Sequence, residues 1–208
     1  MDSNIVITIS REYGSGGLSI GRRLAELCDI PFYSRDDIAN LGKQEPFLTE
    51  ANCLWLTEND LRPSALPGSA FSFGSAYGEI GSQLFLKEAN VVWKLAKKGP
   101  CVIVGRCADF ILQSRPHTYR IFLSSGIPNR LQHIRQHPAQ YPADIKKEAK
   151  EILQMDKKRA AYYNYYTGQV WGKASNYDLC IDTGKLGLQT ANLLVDFIQR
   201  VEQLSFPK

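Results

Sequence analysis

Ile5-Val-Ile-Thr-Ile-Ser-Arg-Glu-Tyr-Gly-Ser-Gly-Gly-Leu-Ser-Ile-Gly-Arg-Arg-Leu-Ala25 is the stretch from which the fold is read. Ile5 to Ile9 is β-branched and almost wholly apolar, the pattern of a strand buried on both faces in a parallel sheet. Beyond it, Leu18, Gly21, Leu24, Ala25 and Cys28 recur at helical spacing. The loop between them carries Gly14, Gly16 and Gly17, so its backbone can approach a ligand closely. A helix that starts there turns its free N–H groups and the positive end of its dipole toward that ligand. Phosphate is the natural occupant, with Ser15 and Ser19 as hydroxyl donors. A tight turn with glycines for geometry alone is the bland alternative, and the strand-loop-helix context favours phosphate over it.

Working outward, Ile30 to Tyr33 reads as a second strand, and Ser34-Arg35-Asp36-Asp37 as a helix start with acids at its positive end. From 43 to 77 several Pro, Gly and Ser interrupt any period, and the segment is expected to be an insertion or mobile flap. Ile80 to Lys97 regains helical periodicity, stopped by Gly99-Pro100. Cys101 to Val104 is a third buried strand followed by Gly105-Arg106. Tyr119 to Leu123 gives a fourth strand, Asn129 to Gln136 an amphipathic helix, and Ala143 to Tyr163 a helix rich in Lys and Arg. A fifth strand, Tyr177 to Ile181, precedes a closing helix over Gly187 to Leu204. Strands alternating with helices in this way predict a three-layer α/β/α fold with a five-stranded, mostly parallel sheet.

The 208 residues fit one domain, 1–208. Hydrophobic residues at 44% and charged residues at 22% exclude wholesale disorder, collagen-like repeats and coiled coil. A net charge of +4 suits a phosphorylated ligand and does not call for nucleic acid. No apolar run approaches the roughly 20 residues of a membrane span. Met-Asp-Ser-Asn at the start has neither the basic segment nor the cleavage site of a secretory signal. Five scattered cysteines, none in C-x-x-C spacing, support neither a disulfide framework nor a zinc site, and a reducing cytoplasm is the expected location.

Two nucleotide-binding patterns compete for the glycine loop. G-x-x-x-x-G-K-[ST] would begin at Arg11, and then Gly17 stands in place of its lysine and Leu18 in place of its Ser or Thr. G-x-G-x-x-G fits Gly14 and Gly16, with Ser19 replacing the third glycine and Asp36 at a suitable distance for the ribose acid. The rest of the chain separates them. Ile7 to Ala25, Val102-Ile-Val-Gly-Arg106, Asp156-Lys-Lys-Arg-Ala-Ala-Tyr-Tyr163, Tyr165-Tyr-Thr-Gly168, Trp171 and Tyr177-Asp-Leu-Cys-Ile-Asp-Thr183 together resemble the cytidylate kinase-like family of P-loop nucleoside monophosphate kinases.

That resemblance implies ATP with Mg2+ at the loop, a nucleoside monophosphate of CMP or dCMP type across the sheet edge, and a helical lid over about 143–172. Arg11, Gly14, Ser15, Gly16, Gly17 and Ser19 would then bind phosphate, with Arg11 folding back over it. Arg35, Asp36, Asp37 and Arg106 would face the acceptor. Lys157, Lys158 and Arg159 would form the cationic part of the lid, and Arg106, Lys158 and Arg159 would be electrostatic catalysts. The acid that precedes Gly-Arg in authentic cytidylate kinases is Val104 here, so no metal ligand is assigned.

Other readings set against this one are a catalytically inactive nucleotide-binding module, for which the missing lysine speaks, and a dinucleotide-dependent oxidoreductase, which leaves the lid cations without a use. Tyr162, Tyr163, Tyr165 and Tyr166 beside basic residues also fit a nucleic-acid stacking surface, but lid or core packing is the commoner fate of such tyrosines. His133 and His137 lack a third ligand for metal and read as surface histidines, and Cys107 reads as a packing residue.

Overall fold

The computed structural model describes residues 4–46, 76–141 and 148–205. Most of the segment expected to be an insertion, 47–75, lies outside the described residues. Its two flanks are helical, since the second helix runs to Gln44 and the third begins at Ala76.

The elements follow in the order β1 (Val6–Arg11), α1 (Gly17–Cys28), β2 (Phe32–Tyr33), α2 (Arg35–Gln44), α3 (Ala76–Lys98), β3 (Cys101–Val104), α4 (Ala108–Ile111), β4 (Thr118–Ser124), α5 (Ile127–Gln136), α6 (Ala149–Thr167), β5 (Leu179–Asp182) and α7 (Thr190–Ser205). The five strands pair in the order β2-β3-β1-β4-β5, and every pair is parallel. The expected sheet is thus wholly parallel. The helix expected over Ala143 to Tyr163 begins at Ala149 and runs on to Thr167, while 142–147 lies outside the described residues. The one-turn helix α4 has no apolar period long enough to be seen in sequence.

Alternation along the central strands distributes the core between two faces. Ile5, Ile7 and Ile9 of the first strand region join Val102 and Val104 of β3 against Ile20 and Leu24 of α1 and Leu194 and Ile198 of α7. Val6, Cys101 and Ile103 point the other way, toward Ile38 of α2 and Phe85, Ala89 and Val92 of α3. A small third cluster, Tyr13, Ile134 and Ile152, joins α5 to α6 beside the glycine loop.

Helix α1 lies close to the sheet because Gly21 faces it: a Cβ there would come within 3.0 Å of Val104 Cγ2 and 3.1 Å of Phe32 Cε2. Gly21→Leu is therefore expected to destabilise the protein by about 1 to 3 kcal/mol through overpacking. A urea midpoint equal to that of the wild type would show that α1 rides further off the sheet than described. Among the described residues, no helix is long and apolar enough to cross a membrane.

Candidate active site

Parallel α/β sheets present their ligands at the C-terminal ends of the strands, where strand order reverses. In this sheet the reversal falls at β1, which has β3 on one side and β4 on the other. The loop that leaves β1 there separates two clefts.

The loop is held rigidly. Gly14 at φ 84° and Gly16 at φ 82° sit in the left-handed region, and a Cβ on Gly14 would press on Ile134 Cδ1 at 2.9 Å and the Arg130 carbonyl at 3.1 Å. Arg130 is 2% exposed. Its Nε donates to the Tyr13 carbonyl at 2.7 Å, its Nη2 donates to Asp156, and its Nη1 lies 3.5 Å from the Glu12 carboxylate. Asp156 also accepts from the Tyr13 N–H at 2.7 Å, and Glu12 from the Ser125 N–H at 2.9 Å. The Ser15 hydroxyl donates to the Glu12 carbonyl at 2.9 Å, while Thr183 donates to the Ser15 carbonyl at 2.8 Å. What the loop leaves open is its backbone: Gly17, Leu18 and Ser19 form the first turn of α1, where N–H groups have no intrahelical acceptor.

On one side is a cleft of about 480 Å³. Gly14, Ser15 and Gly16 form its inner wall, Asn129 and His133 of α5 one side, and Thr183, Gly184 and Lys185 after β5 the other. His133 and His137 stack with ring centroids 4.2 Å apart. Burial, followed by the proximity of His137, pushes the His133 pKa down, favouring the neutral ring. Both histidines, expected at the surface, are partly exposed and line this cleft.

The second cleft, of about 250 Å³, is lined by Arg11, Arg35, Arg106, Lys158 and Arg159 together with Tyr162 and Trp171, and its described lining contains no carboxylate. Arg106 reaches it through a tight turn in which Gly105, Arg106 and Cys107 have φ of 87°, 55° and 55°. Two consecutive non-glycine residues in the left-handed region cost about 1 to 2 kcal/mol each, and the turn they make brings the Arg106 side chain to the cleft. Behind that side chain, Arg106 pairs at 3.2 Å with Glu88, itself 1% exposed, and Glu88 accepts from the Tyr162 hydroxyl at 3.1 Å. Burial raises the Glu88 pKa, and Arg106 opposes the rise.

Arg159 donates to the Arg11 carbonyl at 2.8 Å and lies 5.1 Å over the Tyr13 ring. Its pKa is pushed down to about 10, chiefly by burial. Residues 155, 158, 159 and 162 share one face of α6 by helical spacing, so Met155, Lys158, Arg159 and Tyr162 line the cleft together while Lys157 is exposed outside it. Beneath the floor, Asp109 is 2% exposed and accepts from Ser10 at 3.1 Å and Tyr163 at 2.8 Å. Burial raises its pKa as well.

The remaining expected site residues are occupied otherwise. Asp37 closes the capping box of α2 with Ser34, and Asp36 pairs with Arg35 at 3.0 Å on the surface. Ser19 donates to Gln140 at 3.0 Å. Sequence reading did not single out Glu12, Glu88, Asp109, Asn129, Arg130, Asp156 or Lys185. For Asn129 and Lys185 the available signal was positional, since both follow the C-terminal end of a strand.

Among the described residues, a magnesium ion finds no ready set of protein ligands. Position 18 is Leu18, Val104 is fully buried in the sheet, and Glu12 of the loop and Asp109 beneath the second cleft already accept hydrogen bonds from the protein. Among the described residues, no three His, Cys, Asp or Glu side chains converge.

A family model described as the cytidylate kinase-like family matches residues 6–185. No curated protein matches. Among solved structures, an uncharacterized protein from Eubacterium ventriosum ATCC 27560 is 26% identical, with a TM-score of 0.72 over 95% of this chain and 99% of that one. Shikimate kinase from Bacteroides thetaiotaomicron aligns at 14% identity and TM-score 0.52, covering 96% and 97%. The APS kinase of Mycobacterium tuberculosis, solved in complex with AMPPNP and APS, aligns at 13% identity and TM-score 0.50, covering 96% and 99%. The two kinases share the fold.

Proposed function

The chain belongs to the cytidylate kinase-like family, and from that premise we propose that it transfers the terminal phosphoryl group of ATP to a nucleoside monophosphate, with CMP or dCMP as the foremost acceptor. The observation that carries this reading is the second cleft: five cations and no carboxylate in its described lining. A kinase acting on a hydroxyl group needs a carboxylate to take the hydroxyl proton. A phosphate acceptor is already ionised and needs only positive charge.

In this mechanism the donor's polyphosphate lies along the N–H groups of Gly16 to Ser19, with its nucleoside in the larger cleft. Arg106 and Arg35 hold the acceptor phosphate. An acceptor oxygen attacks the γ-phosphorus, the bond to the β,γ-bridging oxygen breaks, and ADP leaves with that electron pair. Arg159 and Lys158 face the equatorial oxygens on which charge accumulates, in a walled site where each interaction is stronger than in water. Helix α6, which carries them, serves as the lid.

ADP release should be measured across a panel of nucleoside monophosphates and hydroxyl acceptors, with calorimetry of ATP and each acceptor alongside. Turnover that depends on a monophosphate is the expected result, and turnover with a hydroxyl acceptor alone would overturn the reading. Leu18 and Val104, where metal-facing polar groups are wanted, favour a second reading as a nucleotide-binding regulatory module; tight nucleotide binding with no acceptor-dependent turnover would establish it.

A further inference from the structure

Gly17 stands at the head of α1 where a phosphate loop normally carries its lysine. The space a side chain would use there is already taken. A Cβ on Gly17 would lie 2.7 Å from Arg11 Cγ and 2.9 Å from Arg11 Cβ. At the far end of the same side chain, a Cβ on Gly105 would collide with Arg11 Nη1. Arg11 thus leaves the end of β1, crosses Gly17 and delivers its guanidinium to the turn that carries Arg106. Two glycines keep that path open.

The guanidinium it delivers has no hydrogen-bonding or ion-pairing partner among the described residues. Around it stand Arg159, Arg35 and Arg106, each repelling it, with Asp36 as the one attractive charge of note. Burial pushes its pKa down further than any of these neighbours. Arg11 is half-buried, and a partly desolvated cation set among three like charges with no partner is costly.

We propose that Arg11 is the phosphate-neutralising cation of this loop, supplied from the end of β1 instead of the first turn of α1, so that positions 11 and 17 compete for a single volume and the ligand drawn between the two clefts is a polyphosphate. The proposal rests on the loop being a phosphate site and deepens the reading above by naming the group that bridges donor and acceptor.

The test uses inorganic tripolyphosphate as the probe, with melting temperature and calorimetric affinity as readouts. Arg11→Met keeps the stem and removes the charge. Without ligand it should melt about 2 °C or more above the wild type, because like charges no longer crowd one another. Its affinity for tripolyphosphate should fall by about tenfold or more, or 1.4 kcal/mol. Gly17→Lys alone should melt lower, since two side chains then contend for one space. Arg11→Gly should lose affinity as Arg11→Met does, and Arg11→Gly with Gly17→Lys should regain at least half of that loss on a logarithmic scale.

An Arg11→Met protein that melts below the wild type with unchanged affinity would make Arg11 structural and overturn the proposal. So would a double variant that binds no better than Arg11→Gly, or a wild type that does not bind tripolyphosphate. If no monophosphate supports turnover yet tripolyphosphate binding depends on Arg11 in this pattern, the kinase reading fails and the assignment of Arg11 stands.

Discussion

Arg130→Met is expected to destabilise the protein by about 3 to 5 kcal/mol, the range for removing one partner of a buried ion pair. For a chain of this length that lowers the melting temperature by roughly 10 °C. Three groups lose their partner at once. The Tyr13 carbonyl no longer receives the 2.7 Å bond from Nε, and Asp156 and Glu12 lose the cation that lies between them. With them goes the clamp between α5, α6 and the glycine loop, since Asp156 also holds the Tyr13 N–H. Asp156→Asn should be milder alone, and in the Arg130→Met background should add less than its separate effect, because both changes act on one network. Thermal melts of the four proteins in this cycle decide the matter. Additive effects, or a loss below about 1 kcal/mol for Arg130→Met, would show that the network is not what holds the loop.

Arg106→Met should lower kcat/KM for the acceptor by about 100-fold or more, the scale of losing one preorganised charged donor at a developing negative charge. The same variant leaves Glu88 buried without its cation, so a structural explanation has to be separated from a catalytic one. The companion change Glu88→Gln does this. Arg106→Met with Glu88→Gln should recover most of the lost stability, as removing both members of a buried pair costs far less than removing one. It should not recover turnover. Should the double variant regain activity within about threefold of wild type, Arg106 would be a positioning element and not the group that meets the acceptor. Arg159→Met, for which no buried carboxylate is orphaned in the same way, should lower kcat with a smaller effect on stability.

Elements and their order were legible from local pattern. Ile5 to Ile9 and Cys101 to Val104 are apolar runs of strand length, and both are strands at the centre of the sheet. Gly14, Gly16 and Gly17 marked the loop, and Arg106 stood out because Gly-Arg follows a buried strand. Helical spacing also separates Lys158 and Arg159, which line the cleft, from Lys157, which does not, once the direction of α6 is known. Less legible was the fate of charges near the site. Asp36 and Asp37 sit beside Arg35 in sequence, but one is a surface partner and the other a helix cap. A capping box can be read from Ser34 and Asp37, and its local claim on Asp37 competes with any ligand.

Sequence alone determined the alternating strands and helices and the glycine loop, because these depend on period, composition and neighbours a few residues apart. Tertiary structure decided which distant groups pair around the site. Tyr13 meets Asp156 across 143 positions, Arg159 meets Arg11 across 148, and Ser10 meets Asp109 across 99. No local period encodes such pairings. They arise when parallel strands bring their C-terminal ends to one edge, so that loops distant in the chain share the same few ångströms and electrostatics then selects the pairs.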